Sequence, residues 1–457
     1  MKNMQIQKII KYNLSTDSRN LKKNDIFFDF ISKKNKKNPY LEKIIKKKPK
    51  IIFSECNLNF KNTICKKDLK TYFLKILFKK FKKKPKNLIA VTGTNGKSSV
   101  AHFFKEINKY LRISCASIGT LGFIENKYKT KNNLTTPDIL TNHKKLNEYY
   151  KKKIQNVVIE TSSHGLDQGR LRGLVFRSGI FTNFTRDHLD YHKTLTNYLK
   201  AKLNLFSNLL SKNGYIITNS SLNEKYTKHF KNKKLLFGPY GNTIKLISLK
   251  ACGNMSLVKI NFSNEIFLFK TKLIGRIQID NLINSILAAI SIGIKFKKII
   301  NIIHKVKNPL GRIDYIGNKY KTIIIDYAHT PDGLKKVLEN LLTHFNKKII
   351  LVFGCGGDRD KKKRLTMGRI ANKYCSKVFI TDDNPRYEDP HKIRLEIAKG
   401  CNKSKIISSR KEAIKKAFKL LNKNNLLLIT GKGHENYQIF KNIKKPFSDY
   451  KVVRSLL

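Results

Sequence analysis

The segment "TGTNGKSS", which starts at residue 92, has the residue types that a phosphate-binding loop needs. It follows the apolar run "LIAV" and precedes a stretch with apolar residues at helical spacing. Gly93 and Gly96 let backbone N–H groups approach phosphate oxygens, and the start of a helix adds positive potential. Lys97 can reach the β- and γ-phosphates, so the segment predicts ATP binding despite its short G-x-x-G-K-S spacing. The alternative is a glycine turn that caps a helix, with an incidental lysine.

Two later strand ends supply groups that could hold a metal ion beside this loop. Glu160 ends the apolar run "VVIE", and His188 lies in the polar turn after "GIFTNF". A carboxylate and an imidazole from two strand ends beside a phosphate loop favour a Mg²⁺ role. Each also has a structural alternative, because Glu160 could cap a helix and His188 could pair with Asp187 or Asp190.

Arg386 stands out in "ITDDNPRYEDP", because Lys supplies most of the 95 basic residues of the chain. A guanidinium is a planar fork, whereas an ammonium acts as a point charge. The use of Arg directly after Pro385 therefore indicates that a fork-shaped cation is needed here. Its partner is left open by the local sequence, since Glu388 or Asp389 could also pair with it.

Alternating strand and helix patterns must position these groups. The chain has 457 residues, which favours about three domains of roughly 150 residues each. Strands are predicted at 25–30, 50–54, 156–163, 178–184, 214–219, 322–330, 348–357, 377–385 and 425–433, besides the strand before the phosphate loop. The predicted fold is α/β with mostly parallel sheets and three domains, at 1–85, 86–309 and 310–457. Ligands should bind where the strands end in polar or Gly-rich turns.

The formal charge of +64 does not by itself indicate a nucleic-acid partner. Lys is spread over the whole length together with Asn and Ile, as an AT-biased coding sequence would produce. The seven cysteines form no C-x-x-C pair, which favours a reducing compartment. Neither a signal peptide nor a run of about 18 apolar residues is present, so we expect a soluble cytoplasmic protein without membrane insertion and without a nucleic-acid partner.

Seven segments together resemble the Mur ligases of peptidoglycan synthesis. They are "GTNGKSS", "TSSHGLDQGR", "TNFTRDHLDYH", "IDYAHTPD", "FGCGGDRDKKKR", "DDNPR" and "GKGHENYQ", and they occur in that family's order. The chain is most similar to the members that join meso-2,6-diaminopimelate to UDP-N-acetylmuramoyl-L-alanyl-D-glutamate. The resemblance implies a monomeric ATP-dependent ligase with Mg²⁺ as cofactor and an acyl-phosphate intermediate. It also implies a uridine-binding first domain, a central P-loop ATPase domain and a Rossmann-like C-terminal domain that binds the amino acid.

The same resemblance implies roles for individual residues. ATP would be bound by Gly93, Thr94, Asn95, Gly96, Lys97, Ser98, Ser99, Arg312, Asp326 and His329. The catalytic residues would be Lys97, Glu160, His188 and Lys202. The metal ligands would be Ser98, Glu160, His188 and Lys202, the last as a carbamate (N6-carboxylysine). The UDP-sugar peptide would contact Thr16, Ser18, Thr135, Thr136, Ser162, Gln168 and Arg170. Diaminopimelate would contact Arg359, Asp383, Asn384, Pro385, Arg386, Gly431 and Glu435.

A carbamate makes physical sense of a lysine at a metal site, because it offers carboxylate-like oxygens where an ammonium would repel Mg²⁺. The alternative is that Lys202 is one more solvated lysine. Arg386 would bind the second carboxylate of diaminopimelate, which lysine lacks, and a site built for that group can discriminate by roughly 10⁴ or more.

Three other functions remain as alternatives. A folylpolyglutamate synthetase shares the ATP chemistry, but "DDNPR" and "TDSR" argue against it. A basic nucleic-acid-binding protein would show a clustered basic face, whereas the charge here is diffuse. A transport or motor ATPase would need an aspartate that closes an apolar strand as its second nucleotide motif.

Overall fold

The structure, a computed structural model, describes residues 6–33, 36–125, 128–130, 132, 134–318 and 320–457. Its strands form three larger sheets and a two-stranded ribbon. The α/β prediction with mostly parallel sheets is confirmed. Within the described ranges, no helix is both long and apolar enough to span a membrane.

The first sheet is small and wholly parallel. In spatial order its strands are Leu14–Ser15, Ile26–Asp29, Ile51–Ser54 and Thr63–Cys65. The helices of this region are Ile6–Ile9, Leu41–Lys46 and Leu69–Lys80. Apolar residues of the last helix pack on one face of the sheet, and Leu140 from the next part of the chain joins the same cluster.

The second sheet has eleven strands and carries the phosphate loop at its middle. In spatial order the strands are Glu265–Thr271, Met255–Phe262, Ile244–Cys252, Lys233–Phe237, Leu210–Asn219, Phe176–Phe181, Asn87–Thr92, Asn156–Glu160, Cys115–Gly119, Gly122–Glu125 and Tyr128–Thr130. The strands from 244–252 to 115–119 in this order are parallel, and antiparallel strands extend the sheet at both sides. Because neighbouring parallel strands end at the same edge, Thr92, Glu160 and Phe181 finish side by side.

Helices cover both faces of this sheet. Those of this region are Lys97–Tyr110, Ile139–Lys151, Ser163–Asp167, Leu189–His192, Leu195–Asn204, Ser220–Leu222, Gly275–Ser291 and Phe296–Ile302, with short π and 3₁₀ turns at Leu205–Leu209, Asn223–Thr227 and Ile303–Lys305. Helices Lys97–Tyr110 and Gly275–Ser291 pack on one face, and helix Ile139–Lys151 packs on the other. The helix after the phosphate loop therefore packs against the sheet and against helix Gly275–Ser291, which fixes the loop at its N-terminus.

The third sheet has six strands, and all its pairings but the first are parallel. The order is Asp314–Tyr315, Thr322–Ile325, Asn425–Ile429, Lys348–Phe353, Lys377–Ile380 and Ser404–Ile406. Helices Pro331–Phe345, Lys362–Tyr374 and Pro390–Ala398 contribute to the core on one face, and helices Arg410–Lys419 and Asp449–Arg454 to the core on the other. The ribbon pairs Tyr437–Phe440 with Ile443–Pro446.

The predicted strands are found, but most are shorter than the patterns suggested. The run predicted as 322–330, for example, is a strand only over Thr322–Ile325, because Asp326 begins the turn that leads to the next helix. The strands at 115–130 and 244–271 were not predicted from the sequence. We keep the domain division at residues 85/86 and 309/310 as a proposal.

Candidate active site

The phosphate loop uses its two glycines for different reasons. Gly93 has φ +140°, and a Cβ there would lie 2.0 Å from Thr182 Oγ1. Gly96 has φ +87° and caps the following helix, and a Cβ there would lie 2.5 Å from Asn281 Oδ1. Both positions therefore exclude a side chain, which leaves the backbone N–H groups at the helix start accessible to an anion.

Lys97 is folded back on this loop. Its Nζ donates to the carbonyl oxygens of Gly93 and Thr94, both at 2.8 Å. Burial lowers its pKa, while the charges of Glu160 and Asp187 raise it. The ammonium can turn from these carbonyls to a phosphate, which would be a stronger, charged acceptor.

Glu160 lies buried beside the loop at the end of its strand. One carboxylate oxygen accepts from Ser98 Oγ at 2.8 Å, and the other accepts from the backbone N–H of Thr120 at 3.0 Å. Burial raises the pKa of Glu160, although these hydrogen bonds and Lys97 oppose the shift. The helix that follows is capped by Ser162, not by Glu160, so the capping alternative is wrong.

His188 and Lys202 lie on the other side of the loop. His188 has φ +52°. Its Nε2 lies 3.5 Å from Asp187 Oδ2, so the alternative in which His188 pairs with Asp187 is observed, with a long contact distance. Although 45% of its side chain is exposed, desolvation by the residues around it lowers the pKa of His188 to about 4, and the charges of Lys97 and Lys202 add to this. Lys202 is 1% exposed and donates to Gly93 O at 2.8 Å. It is therefore not a solvated lysine.

The donor atoms of these side chains are of the kinds that can ligate a hard cation such as Mg²⁺. Ser98 and Glu160 offer oxygen donors, and His188 offers an imidazole. Burial, with Lys97 adding to it, lowers the pKa of Lys202 well below its usual range. Among the residues that the structure describes, no three His, Cys, Asp or Glu side chains form a metal-binding group. The remaining oxygens would therefore have to come from the nucleotide, water or a modified Lys202.

Arg312, Asp326 and His329 lie at the junction with the third sheet. Asp326 is buried and accepts from the N–H groups of Ile313 and Ala328 at 2.8 and 2.7 Å. The guanidinium of Arg312 stacks 4.5 Å above the ring of Tyr327, and its buried Nε has no hydrogen-bond partner among the described residues. A buried unpaired donor beside the phosphate loop is what an anionic ligand would satisfy. His329 Nδ1 is 2.9 Å from Tyr327 O, and its side chain is exposed.

The phosphate loop also contacts this third sheet's first helix. Asp332 accepts from Thr185 Oγ1 at 2.9 Å and from Asn95 Nδ2 at 3.4 Å. Asn95 is in turn tied to Asn183, whose side chain accepts from the Asn95 N–H at 2.9 Å. Thr94 donates to Thr185 O at 3.1 Å, and Ser99 is buried in the helix.

Five of the seven residues predicted for the UDP-sugar peptide lie together. Thr136 Oγ1 donates to Glu160 O at 2.8 Å and lies 3.0 Å from Ser162 Oγ. Arg170 donates to Thr136 O at 2.8 Å and to the side chain of Gln168. Thr135 reaches the same place through Thr120, at 3.1 Å between their hydroxyls. This group therefore adjoins Glu160.

Thr16 and Ser18 lie apart from that group. They are in the turn after strand Leu14–Ser15 of the first sheet. Lys47 Nζ donates to Ser18 O at 2.8 Å and to Arg19 O at 3.1 Å, which fixes the turn. The side chains of both residues are partly exposed.

The residues predicted for diaminopimelate gather at the ends of three strands of the third sheet. Asp383 and Asn384 are buried after strand Lys377–Ile380. Asn384 Nδ2 donates to Glu435 Oε2 at 3.0 Å. Gly431, with φ +107°, lies so close that a Cβ would be 2.6 Å from Asp383 Oδ2. The carboxylates of Asp383 and Glu435 therefore belong to one cluster.

Arg386 joins this cluster to the loop after strand Lys348–Phe353. Its Nη1 donates to Gly357 O at 2.6 Å, and its backbone pairs with the ribbon through Ile439 O at 3.0 Å. Glu388 is occupied by Arg364, at 2.9 Å, and Asp389 caps a helix. The pairing of Arg386 with either carboxylate is thus not observed.

Arg359 and Pro385 complete the predicted set. Arg359 is exposed in the loop after strand Lys348–Phe353, and the structure does not bring it against the buried cluster. Pro385 is buried and its carbonyl accepts from Glu388 N at 3.1 Å.

Sequence reasoning missed two residues of this region. Lys432 is wholly buried between Asp383 and Glu435. Tyr327 lies between Arg312 and His434, and its hydroxyl is 3.5 Å from Glu435 Oε1. Lys432 stands in the motif "GKGHENYQ" and Tyr327 in "IDYAHTPD", so their places in these motifs were the available signal.

Family models define the class of protein. Residues 91–289 match the Mur ligase middle domain, and residues 311–433 match the Mur ligase, glutamate ligase domain. Together with the relatives described next, these matches show that the chain belongs to the Mur ligase family.

The similar proteins point to one branch of that family. A protein of Rickettsia montanensis is 39% identical over 96% of this chain and 95% of its own length, and a protein of Wigglesworthia glossinidia brevipalpis is 36% identical over 99% and 96%. Both are named UDP-N-acetylmuramoyl-L-alanyl-D-glutamate–2,6-diaminopimelate ligase. A solved structure of a protein with that name is 31% identical, with a TM-score of 0.67, and covers 97% of this chain and 94% of its own. A folylpolyglutamate synthase of Mycobacterium tuberculosis has a TM-score of 0.63 at 14% identity over 79% of this chain and 90% of its own, which shows a shared fold only.

Proposed function

We propose that this chain is the ATP-dependent ligase that joins meso-2,6-diaminopimelate to UDP-N-acetylmuramoyl-L-alanyl-D-glutamate in peptidoglycan precursor synthesis. The observation that carries the proposal is the naming of relatives that match nearly the whole chain. The cluster of Asp383, Asn384, Glu435 and Arg386 supports the amino-acid substrate, because it offers both carboxylates and a guanidinium. We also propose that the enzyme acts as a cytoplasmic monomer.

ATP would lie on the phosphate loop, with its phosphates at the N-terminus of helix Lys97–Tyr110. Lys97 would leave its carbonyl partners for the γ-phosphate, and the unpaired Nε of Arg312 would meet the nucleotide from the third sheet. Asp326 holds the backbone beside Arg312 through Ile313 N and thus fixes where the guanidinium emerges. His329 lies in the same turn.

Mg²⁺ would be held by Ser98, Glu160 and His188, with Lys202 as a fourth ligand once carbamylated. When bound, the ion neutralises charge on the transferred phosphoryl group. Carbamylation joins the lysine amine to CO₂ and releases one proton. Burial of Lys202, with Lys97 adding to it, supports this step, because a lowered pKa favours the neutral amine that reacts with CO₂.

The reaction needs two positioned steps. The D-glutamyl carboxylate of the acceptor takes the γ-phosphoryl group of ATP and becomes an acyl phosphate, and ADP leaves. The free amine of diaminopimelate then attacks the acyl carbon, and phosphate leaves. Thr136, Ser162 and Arg170 adjoin Glu160, so they can hold the acceptor peptide next to the phosphate loop. Such chemistry depends on charge neutralisation and positioning rather than on a protein nucleophile.

Arg386 would bind the carboxylate of the non-reacting end of diaminopimelate. One of its N–H groups is used by Gly357 O, which leaves others free to form two parallel bonds to a carboxylate. Asp383 and Glu435 would accept from the ammonium at that end. The reacting amine at the other end of the molecule then points toward the acyl phosphate.

Phosphate release tests the proposal. The purified chain is mixed with ATP, Mg²⁺ and UDP-N-acetylmuramoyl-L-alanyl-D-glutamate, with meso-diaminopimelate, with L-lysine or with no amine. We expect release that depends on diaminopimelate and on the acceptor, with an amide product of the summed mass. Release with diaminopimelate but without acceptor, or none with any amine, would contradict the proposed function.

The carbamate has its own test. The protein is equilibrated with ¹³C-bicarbonate, and ¹³C NMR is recorded for wild type and Lys202→Met. A carbamate carbon signal seen only in the wild type is expected. Identical spectra would remove Lys202 from the list of metal ligands.

A further inference from the structure

One lysine of this Lys-rich chain lies in the interior of the candidate amino-acid site. Lys432 is 0% exposed, although lysine is almost never fully buried unless it is paired. Its Nζ donates to Glu435 Oε2 at 3.0 Å and to Asn384 Oδ1 at 3.1 Å, and it lies 3.7 Å from Asp383 Oδ1. The ammonium therefore contacts three of the residues that would recognise diaminopimelate.

These contacts fix the orientation of the recognising groups. Asn384 accepts from Lys432 and from Ile439 N on its Oδ1, so its amide nitrogen must face Glu435. Glu435 Oε2 then receives two donors, while Oε1 faces the hydroxyl of Tyr327 at 3.5 Å. Without the ammonium, Asn384 Oδ1 would keep only the backbone N–H of Ile439, and Glu435 Oε2 would keep only the amide of Asn384, so both groups would be held less firmly.

Lys432 also sets the charge of the cluster. Asp383 and Glu435 carry two negative charges, and Lys432 carries one positive charge between them. These three side chains together carry one negative charge, which matches a single ligand ammonium, while Arg386 remains for the ligand carboxylate. Removing the lysine would leave two like charges close together, one on buried Asp383 and one on partly buried Glu435, which favours a more cationic ligand and raises the cost of a ligand carboxylate.

We infer that Lys432 is a positioning residue for the amino-acid substrate, and that it acts through Glu435, Asn384 and Asp383 rather than by touching the ligand. The inference rests on the proposed function. The ammonium of Lys432 is engaged by Glu435, Asn384 and Asp383, so it does not reach the ligand or the reacting atoms. Because the cluster lies after strands of the third sheet, the effect should be confined to the amino-acid substrate and should spare ATP and the acceptor.

The test is Lys432→Met, which keeps most of the length of the side chain and removes its charge. The KM for diaminopimelate should rise about 10- to 100-fold, as expected for loss of charged hydrogen bonds. The KM values for ATP and for the acceptor should stay within about twofold. The preference for diaminopimelate over L-lysine should also fall, because L-lysine is the more cationic of the two. Lys347→Met is the matched control. Lys347 donates to Thr322 Oγ1 at the amino ends of the strands of the same sheet, away from the amino-acid site at their carboxyl ends.

A double variant keeps the test informative if Lys432→Met folds poorly. Lys432→Met in the background of Glu435→Gln removes both charges, and it should change the KM for diaminopimelate by less than about threefold relative to Glu435→Gln alone. An unchanged KM in the single variant, an equal rise in all three KM values, or a full additional effect in the double variant would overturn the inference. A wild-type chain without diaminopimelate-dependent phosphate release would instead overturn the proposed function.

Discussion

Replacement of Arg386 by Lys is the most direct test of how the amino acid is recognised. The change keeps the positive charge but removes the planar fork. In the structure Arg386 Nη1 donates to Gly357 O at 2.6 Å, so the guanidinium is held with its remaining N–H groups available. A lysine ammonium at the same place could neutralise a carboxylate without fixing its plane.

The magnitude follows from the hydrogen bonds lost. Hydrogen bonds to charged groups contribute about 1.5–3 kcal/mol each. If lysine keeps one of two bonds to the ligand carboxylate, kcat/KM for diaminopimelate should fall about 10- to 100-fold. The value for L-lysine should change little, since L-lysine has no second carboxylate for Arg386 to hold. Discrimination of roughly 10⁴ would then shrink to about 10²–10³.

The assay is phosphate release at varied amine concentration for wild type, Arg386→Lys and Arg369→Lys. Arg369 is an exposed residue of helix Lys362–Tyr374 and serves as the matched control. An equal loss of kcat/KM for both amines would show that Arg386 supports the loop rather than the second carboxylate. Unchanged discrimination in Arg386→Lys would refute the fork argument.

Two further predictions concern packing and protonation. Gly356→Ala would place a Cβ 2.9 Å from the movable Nη1 of Arg386, whereas Gly357→Ala would place one 1.9 Å from a backbone carbonyl. We therefore expect Gly356→Ala to fold normally, with a KM for diaminopimelate raised about tenfold. Gly357→Ala should lose about 3 kcal/mol of unfolding free energy, measured in urea. Equal stability of the two variants would contradict this expectation. Burial lowers the pKa of His143 to about 4, so the unfolded chain binds its proton more tightly, and stability is full above about pH 6.5 and falls as the pH drops toward 4. His143→Gln should reduce the stability lost between pH 7 and pH 5 by about 2 kcal/mol, and an unchanged loss would refute the assignment.

The strand ends were the predictable part of the site. The phosphate loop, Glu160 and His188 each follow an apolar run, and parallel strands bring such positions to one edge of the sheet. The partner of Glu160 was not predictable in the same way. Its contact with Thr120 depends on a strand that sequence reasoning missed, and that contact fixes where the carboxylate points.

Lys432 shows a second limit. In a chain where most cations are lysines on the surface, composition does not mark the few that folding buries, and the only signal for Lys432 was its place in "GKGHENYQ". Its contacts with Asp383 and Asn384 join residues about fifty positions apart in the chain, so they follow from the order of strands in the third sheet. Local motifs therefore identify the loops that carry the site, but which loops contact each other can be known only from the order of the strands in the fold.

The backbone at Arg386 carries one more consequence of that pairing. Its φ of +53° is left-handed, which costs an L-residue roughly 1–2 kcal/mol, and the ribbon holds it there through Ile439 O and Lys441 N. At an ordinary position Ala is more stable than Gly by roughly 0.5–1 kcal/mol. Here the order should reverse, with Arg386→Gly unfolding at a higher urea concentration than Arg386→Ala, while both lose selection for diaminopimelate. If Arg386→Ala were more stable than Arg386→Gly, the left-handed backbone at residue 386 would carry no strain. The idea that this position stores strain for the sake of ligand binding would then be refuted.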